Sequence, residues 1–272
     1  MSDRAVRFGL NDGLHGVVST PEHSFNEELP VIIILNSGLL HKVGPFRLSV
    51  NLARKLAIVG YRVLRFDISG IGDSRMRISK SGEDFSVADV QSAMNYLDES
   101  FGVGRCYVLI GLCSGADNSH RTSLVDTRVV GSVHLDGYGY RNAAYYLHYY
   151  GARLLSSELM RKKIKMKFSD NKKLTQQEVS WAYDRAFPPI DQAIEEFSKL
   201  FLRGVKMLYI YTGGVEDYYN HKGQLQQLLK GIDVKDNLDE EFYREADHTY
   251  SRVNNREKVV QRILGWLDVR FK

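Results

Sequence analysis

The sequence predicts an α/β fold, in which a mostly parallel central sheet is covered by helices on both faces. Short apolar runs alternate with stretches of helical spacing through the first half of the chain, which is typical of a parallel sheet. The run at residues 31–35 is apolar throughout and ends in Asn36-Ser37-Gly38, as expected for a strand buried on both faces.

Each predicted element has its own justification in the residue pattern. Strands are runs of β-branched and apolar residues, helices have apolar residues three and four positions apart, and Gly60 ends the first helix. The predicted strands are at 31–35, 61–67, 105–110, 129–135, 205–211 and 241–245. The predicted helices are at 47–59, at 86–97 and, closing the chain, at 256–269.

Residues 140–203 interrupt this alternation. They have helical, amphipathic character and are rich first in tyrosine and then in lysine. A helical insertion between two strands predicts a cap on the sheet. We therefore divide the chain into a first part of the core at 1–139, a helical cap at 140–203 and a second part of the core at 204–272.

Composition and charge restrict the class of protein. With 272 residues, 43% of them hydrophobic, the chain can bury one sizeable core. The net charge is only +4, and much of the excess lies in the basic run at 161–167. We interpret that run as a solvated helix face, with guidance of an anionic substrate or carrier as the alternative. We expect no nucleic-acid partner, because no base-stacking platform accompanies the run.

Cysteine usage and the N-terminus favour the cytoplasm. Cys106 and Cys113 are too close together for a natural structural bridge, so we expect two free thiols in a reducing compartment. The N-terminus lacks the apolar run of a secretory signal, and no apolar stretch is long enough to span a bilayer.

Chemistry is indicated first by Gly111-x-Cys113-x-Gly115, which follows a predicted strand and precedes a probable helix. This is the pattern of a nucleophile elbow, a strained turn that pushes one side chain out over the sheet, with cysteine in the usual serine position. A buried structural cysteine is the alternative. Ser114 is a second candidate nucleophile, but its position fits an oxyanion donor better.

The base and the acid are sought further along the chain. His248 lies after the last predicted strand and before the last helix, in the correct order for a base behind nucleophile and acid. For the acid we prefer Asp217, on the loop after the strand at 205–211. Glu216 and Asp136 remain alternatives.

An oxyanion hole needs two backbone N–H donors. The loop at 36–40 follows the first predicted strand and offers the N–H of Leu39, which would act with that of Ser114. His41, nearby, is either a substrate contact or an ordinary surface histidine. No sequence motif of a metal or nucleotide site occurs, so we expect neither a metal nor another cofactor.

Taken together, these motifs resemble the α/β-hydrolase superfamily over nearly the whole chain. The matching stretches, in order, are LNSGLL, GYRVLRFDISGIGDS, GLCSGA, YTGGVED and DHTY. GLCSGA, LDGYGYRNAAYYLHYYGARLL and DHTY further resemble bacterial hydrolase-like proteins associated with exosortase loci. This resemblance implies a helical cap after the sixth strand of the usual sheet and a Cys–His–Asp triad of Cys113, His248 and Asp217.

Cysteine in place of serine is shared with dienelactone hydrolases and some thioesterase domains of natural-product assembly lines. We therefore expect acyl transfer through an acyl-cysteine intermediate, as in a thioesterase or ester hydrolase. The alternatives are an acyltransferase or cyclase that passes the acyl group to an amine or alcohol, and a non-catalytic binding module. The expected partner is a small acyl substrate, free or carried on coenzyme A or a carrier protein.

Overall fold

The computed structural model describes residues 1–22, 27–77, 85–102, 104–155, 185, 187–234 and 236–272. Its centre is an eight-stranded sheet in the order β1-β2-β4-β3-β5-β6-β7-β8. The first two strands run antiparallel to their neighbours and the other six are parallel to one another. The strands are β1 Ser2–Phe8, β2 Leu14–Thr20, β3 Val31–Ile34, β4 Val63–Asp67, β5 Tyr107–Leu112, β6 Val129–Leu135, β7 Lys206–Thr212 and β8 Leu238–Tyr243.

Helices cover both faces of this sheet. They are α1 Leu48–Ile58, α2 Phe85–Phe101, α3 Ser114–Val125, α4 Ala143–Leu155, α5 Ile190–Leu202, α6 Gln224–Leu228 and α7 Val253–Phe271. The apolar faces of α1 and α7 pack in one cluster with alternate residues of the central strands. The apolar side of α2 packs in a cluster on β3, β4 and β5, and that of α5 in a third cluster on β7. The predicted fold class is therefore confirmed.

The predicted parallel strands all form, with ends that differ by a few residues. β3, β4, β5 and β6 contain only buried or nearly buried residues, which explains why their apolar runs were easy to recognise. β1 and β2 were not predicted. β1 is an edge strand with exposed charged residues such as Asp3, Arg4 and Arg7, and such charges hide the apolar alternation of a strand while they protect its edge.

The described part of the predicted cap at 140–203 contains two helices. α5 packs on the sheet, where Phe197 and Leu200 are fully buried in the cluster that includes Met207 and Tyr209 of β7. The end of the segment thus behaves as a covering helix of the sheet. Residues 156–184 and 186, which include the basic run at 161–167, lie outside the described residues, and the cap remains a prediction.

None of the helices in the described ranges combines the length and the apolar character needed to cross a bilayer.

The order of the strands determines where a site can form. β4 lies on one side of β3 and β5 on the other, so the chain reverses its direction of winding at β3. The carboxyl ends of β3 and β5 are therefore the edge of the sheet at which ligands bind in open parallel sheets. The loop at 36–42 and Cys113 lie at this edge.

Candidate active site

Cys113 occupies a strained turn between β5 and α3. Its backbone has φ 57° and ψ −120°, a conformation that side chains rarely adopt. A Cβ on Gly111 would lie 2.0 Å from the carbonyl carbon of Gly115, and a Cβ on Gly115 would lie 2.3 Å from the carbonyl oxygen of Asn36. Strand and helix approach so closely that only glycine fits at either position. The motif thus forms the predicted elbow, with Cys113 as its central residue.

His248 comes from the loop between β8 and α7. The carboxylate of Asp247 fixes this loop, because it accepts hydrogen bonds from the backbone N–H and hydroxyl of both Thr249 and Ser251. On the other side, a Cβ on Gly214 would lie 2.5 Å from the backbone nitrogen of His248. These contacts hold the imidazole over the elbow.

The carboxylate that contacts His248 is that of Asp136. Its Oδ2 lies 2.7 Å from His248 Nδ1. The same carboxylate accepts the backbone N–H of Thr212 at 2.7 Å and the Thr212 hydroxyl at 2.8 Å. Asp136 is fully buried and has a positive φ of 52°. Asp136 thus acts as a hydrogen-bond acceptor toward both Thr212 and His248.

The prediction that Asp217 is the partner of His248 is therefore wrong, and the alternative Asp136 makes this contact. The side chain of Asp217 is exposed, and its backbone carbonyl is occupied by Arg141 Nε at 2.6 Å and by the Tyr145 hydroxyl at 2.9 Å. Glu216 is also exposed, 3.8 Å from Arg244. The physical reason lies in the sheet: Asp136 ends β6, the immediate neighbour of β5, whereas Asp217 lies one strand further away and after a 3-10 turn.

The electrostatics of Cys113 and His248 favour a thiolate and an imidazolium. The hydrogen bond to Asp136, and next the hydrogen bond to Cys113, raise the pKa of His248 well above its ordinary value. Burial alone would raise the pKa of Cys113, but the hydrogen bond with His248, the charge of Arg185 and the backbone N–H of Ser114 outweigh it and lower that pKa. The N-terminus of α3 adds a favourable dipole.

The two predicted oxyanion donors lie on loops that touch each other. The Ser114 hydroxyl accepts the backbone N–H of Gly38 at 2.7 Å, which ties the loop after β3 to the first residue of α3. A turn closed by the Leu40 N–H and the Ser37 carbonyl (2.9 Å) surrounds Gly38, whose φ is +52°. Leu39 is on this turn, 71% exposed. The Ser114 hydroxyl is thus engaged as an acceptor, and Ser114 is not in the position of a nucleophile.

Comparisons with known proteins agree with this architecture. The family described as the alpha/beta hydrolase fold matches residues 30–154. The chain has the α/β-hydrolase fold. No curated protein matches the sequence.

Several solved structures share this α/β-hydrolase fold. They include XC6422 of Xanthomonas campestris, an α/β serine hydrolase without lid (13% identity, TM-score 0.55, 98% of this chain and 95% of that one). The esterase Pf2001 of Pyrococcus furiosus is similar at 15% identity and a TM-score of 0.58, over 100% of this chain and 94% of that one. The proline iminopeptidase of Mycobacterium smegmatis has 13% identity and a TM-score of 0.59, over 99% and 98%. At these identities the likeness concerns the fold alone.

A buried ion pair of the α/β-hydrolase core supports the loop after β3. Asp67, at the end of β4, accepts Lys42 Nζ at 2.7 Å, the Lys42 N–H at 2.5 Å and Asn36 Nδ2 at 3.1 Å. The same Nδ2 of Asn36 also donates to the Leu40 carbonyl, and Asn36 Oδ1 accepts the Ile68 N–H. The sequence analysis missed this network, although an asparagine and a lysine bracketing a glycine loop were the available signal.

His41, Asp67 and Asp73 bring three potential metal ligands within 4.8 Å of one another. The Lys42 ammonium already lies among them, 2.7 Å from Asp67 Oδ2 and 2.9 Å from His41 Nε2. The space between these groups is therefore already occupied by a cation of the protein itself. His41 itself bonds to Asp73 at 3.0 Å, an intraprotein role that neither sequence interpretation of His41 named.

Arg185 is the second residue that the sequence analysis missed. It lies near the end of the predicted cap, with its side chain 14% exposed, and bonds to Asp117 of α3 and to the Tyr218 hydroxyl. No local motif marks it, because its partners are 68 and 33 residues away.

Proposed function

We propose that this chain is an acyl-transfer enzyme that works through an acyl-cysteine intermediate and releases the acyl group by hydrolysis, as a thioesterase or ester hydrolase. The observation that carries the proposal is the hydrogen-bonded series Cys113, His248 and Asp136, with Cys113 at the centre of the strained elbow. This series differs from the predicted triad only in its acid, and it keeps the chain order nucleophile, acid, base.

The fold supports a hydrolase in particular. Similar solved structures are named as a serine hydrolase, an esterase and an iminopeptidase. A binding protein would have no need for a strained cysteine beside a histidine that a buried aspartate holds, since such strain is usually retained for chemistry.

In the first step the thiolate of Cys113 attacks the carbonyl carbon of the substrate. Asp136 fixes His248 through Nδ1, which leaves Nε2 toward Cys113. The backbone N–H groups of Ser114 and Leu39 hold the negative charge that develops on the carbonyl oxygen, and loss of one such donor typically costs roughly 10²–10³ in rate. The His248 imidazolium then protonates the leaving thiol or alcohol as the tetrahedral intermediate collapses.

In the second step the acyl-cysteine is hydrolysed. Neutral His248 takes a proton from water, the hydroxide attacks the thioester carbonyl, and the second tetrahedral intermediate expels the Cys113 thiolate. The carboxylic acid leaves and the thiolate–imidazolium pair is restored. Atoms balance with one acyl donor and one water consumed.

A thiol nucleophile favours thioester donors in this proposal. Exchange of one thioester for another is close to neutral in energy, whereas a thiol that attacks an alkyl ester must expel a more basic alkoxide. Acyl groups carried on coenzyme A or on a carrier protein are thus the proposed donors. We propose the cytoplasm as the compartment, in which a reducing milieu keeps Cys113 a free thiol. We also propose, from the sequence resemblance alone, that the chain is related to the bacterial hydrolase-like proteins associated with exosortase loci.

Intact-protein mass spectrometry tests the proposal. The protein is incubated with a series of acyl thioesters of N-acetylcysteamine, and the mass of one acyl group is followed over time. We expect the adduct on wild type and on Cys106→Ala, and none on Cys113→Ala. Cys106 is the matched control because it is also a free thiol and is more exposed than Cys113.

The decay of the adduct distinguishes hydrolysis from transfer. Decay in water at a rate that added amine or alcohol leaves unchanged supports hydrolysis. Decay only with an added amine or alcohol would show a transferase instead. An adduct on Cys106 alone, or none with any donor, would contradict the proposal.

A further inference from the structure

Arg185 is held rigidly at the candidate active site. Its Nε and Nη2 donate to the two carboxylate oxygens of Asp117 at 2.6 and 2.7 Å, a bidentate pair that fixes the plane of the guanidinium. The guanidinium carbon also lies 4.9 Å from the ring centroid of Phe187. Little rotamer entropy remains to be lost when such a group binds a ligand.

The contacts of Arg185 place it beside the nucleophile. Asp117 is in the first turn of α3, and its N–H bonds to the carbonyl of Cys113 at 3.3 Å. Arg185 Nη1 donates to the Tyr218 hydroxyl at 3.2 Å, and that hydroxyl donates to the carbonyl of Asp136, also at 3.2 Å. Arg185 thus connects the helix that carries the nucleophile to the residue that holds the base. Its positive charge lowers the pKa of Cys113.

The guanidinium retains capacity for another partner. It has five N–H donors, and three of them are used by Asp117 and Tyr218 within the described ranges. A buried arginine with a structural role alone needs only enough acceptors to offset the cost of its desolvation. The carboxylate of Asp117 supplies such acceptors, so contact with the active site is not needed for that role. Arg185 also lies close to the candidate triad, because the Tyr218 hydroxyl that accepts from its Nη1 donates in turn to the carbonyl of Asp136.

We propose that Arg185 binds an anionic group of the acyl donor, a carboxylate or a phosphate, and so selects charged substrates. The inference rests on the proposed acyl-transfer function and narrows its substrate class. The fork of a planar guanidinium, with two N–H groups that none of the described residues accepts from, matches the oxygens of a carboxylate or phosphate. Lys would not reproduce this geometry.

The test compares two substrates that differ by one carboxylate. Succinyl and butyryl thioesters of N-acetylcysteamine have the same chain length, and their carrier is uncharged. On wild type we expect a higher kcat/KM for the succinyl thioester. Arg185→Gln should lower kcat/KM for the succinyl substrate about 10- to 150-fold more than for the butyryl substrate, the range of a lost hydrogen bond to a charged group. A loss common to both substrates would report the effect of the guanidinium on the Cys113 thiolate.

Matched variants keep the result interpretable. Arg185→Gln leaves Asp117 without its partner, so the double variant Arg185→Gln/Asp117→Asn, which removes both charges, is measured as well and should show the same selective loss. Arg185→Lys keeps the positive charge but lacks the paired N–H donors of the guanidinium, so it should retain only part of the preference for the succinyl substrate. Arg7→Gln removes the same charge from the distant edge strand β1 and should change neither rate.

Equal losses for both substrates would overturn the inference, because they would show that Arg185 acts only on the thiolate or on folding. If wild type shows no preference for the succinyl substrate, binding of a substrate carboxylate is excluded, and a second comparison tests binding of a phosphate. The second comparison is between butyryl-coenzyme A and butyryl-N-acetylcysteamine. If wild type prefers the coenzyme A thioester and Arg185→Gln removes that preference, the anion that Arg185 binds is a phosphate of the carrier. No preference in either comparison would overturn the inference. If no thioester acylates Cys113 in wild type, the proposed function itself has failed.

Discussion

Replacement of Asp136 by asparagine tests the corrected acid most directly. Asp136 is fully buried and accepts three hydrogen bonds, from His248 Nδ1, the Thr212 N–H and the Thr212 hydroxyl. Asparagine keeps the shape but has one oxygen acceptor, so its NH₂ must face at least one of these donors. The Thr212 hydroxyl can rotate, whereas the Thr212 N–H cannot. We expect the asparagine oxygen to stay on that N–H and its NH₂ to face His248.

The size of the loss follows from the lost contact. One hydrogen bond to a charged partner contributes about 1.5–3 kcal/mol, which alone is about 10- to 150-fold in kcat/KM. An NH₂ opposite Nδ1 also favours the wrong tautomer of His248, and the loss then rises toward roughly 10⁴-fold. The pKa of His248 should fall, because the hydrogen bond to Asp136 is the largest cause of its rise.

The assay is kcat/KM with an acyl thioester, together with urea unfolding to identify any loss of stability. Asp217→Asn is the matched control: it removes the same charge from an exposed side chain whose backbone carbonyl makes the structural contacts. It should change kcat/KM by less than about twofold, as is usual for surface substitutions. A larger loss for Asp217→Asn than for Asp136→Asn would refute the reasoning.

Three further predictions follow from the same geometry. Gly111→Ala would place a Cβ 2.0 Å from backbone, so we expect a clear fall in Tm, measured by circular dichroism; an unchanged Tm would disprove the close approach. Alkylation of Cys113 by iodoacetamide should stay fast below the pH at which ordinary thiols ionise and fall as pH drops through its lowered pKa; His248→Gln should move this profile to higher pH, and an unmoved profile counts against the pair. Lys42→Met should cost about 3–5 kcal/mol in urea unfolding, because Asp67 loses its buried partner; a cost below 1 kcal/mol speaks against that pairing.

Much of the core was predictable because its information is local. A strand buried on both faces must be apolar at every position, so β3 and β5 were visible in the sequence without any knowledge of their neighbours. The elbow around Cys113 was predictable for a similar reason, since two glycines at fixed spacing are what a close approach of strand and helix requires.

Asp136 was among the candidate acids, but the choice between it and Asp217 depends on which strands are neighbours. Asp136 and Asp217 both follow strands that run parallel to β5, and both precede His248 in the chain. What distinguishes them is that β6 adjoins β5 and that Thr212, at the end of β7, turns two donors toward Asp136. An aspartate directly at the end of a buried strand, followed by glycine, was the available signal.

Arg185 was invisible for a different reason: its position results from contacts over long stretches of chain. An arginine near the end of a lysine-rich helical segment looks like a surface residue until the fold brings Asp117 to it. Helix α4 contains part of the tyrosine-rich stretch of the same segment. Tyr145 contacts the carbonyls of Glu216 and Asp217, which favours packing for that residue.

The loops after β6 and β7 have different contacts, because the acid lies on the first of them. Because Asp136 supplies the carboxylate, the loop after β7 can contact the residues at the start of α4: the Asp217 carbonyl accepts from both Arg141 and Tyr145. The contacts that hold His248 lie deeper, on Asp136 and Thr212, which are fully buried. The His248–Asp136 couple is therefore anchored in the sheet and does not depend on the exposed carboxylates of Glu216 and Asp217.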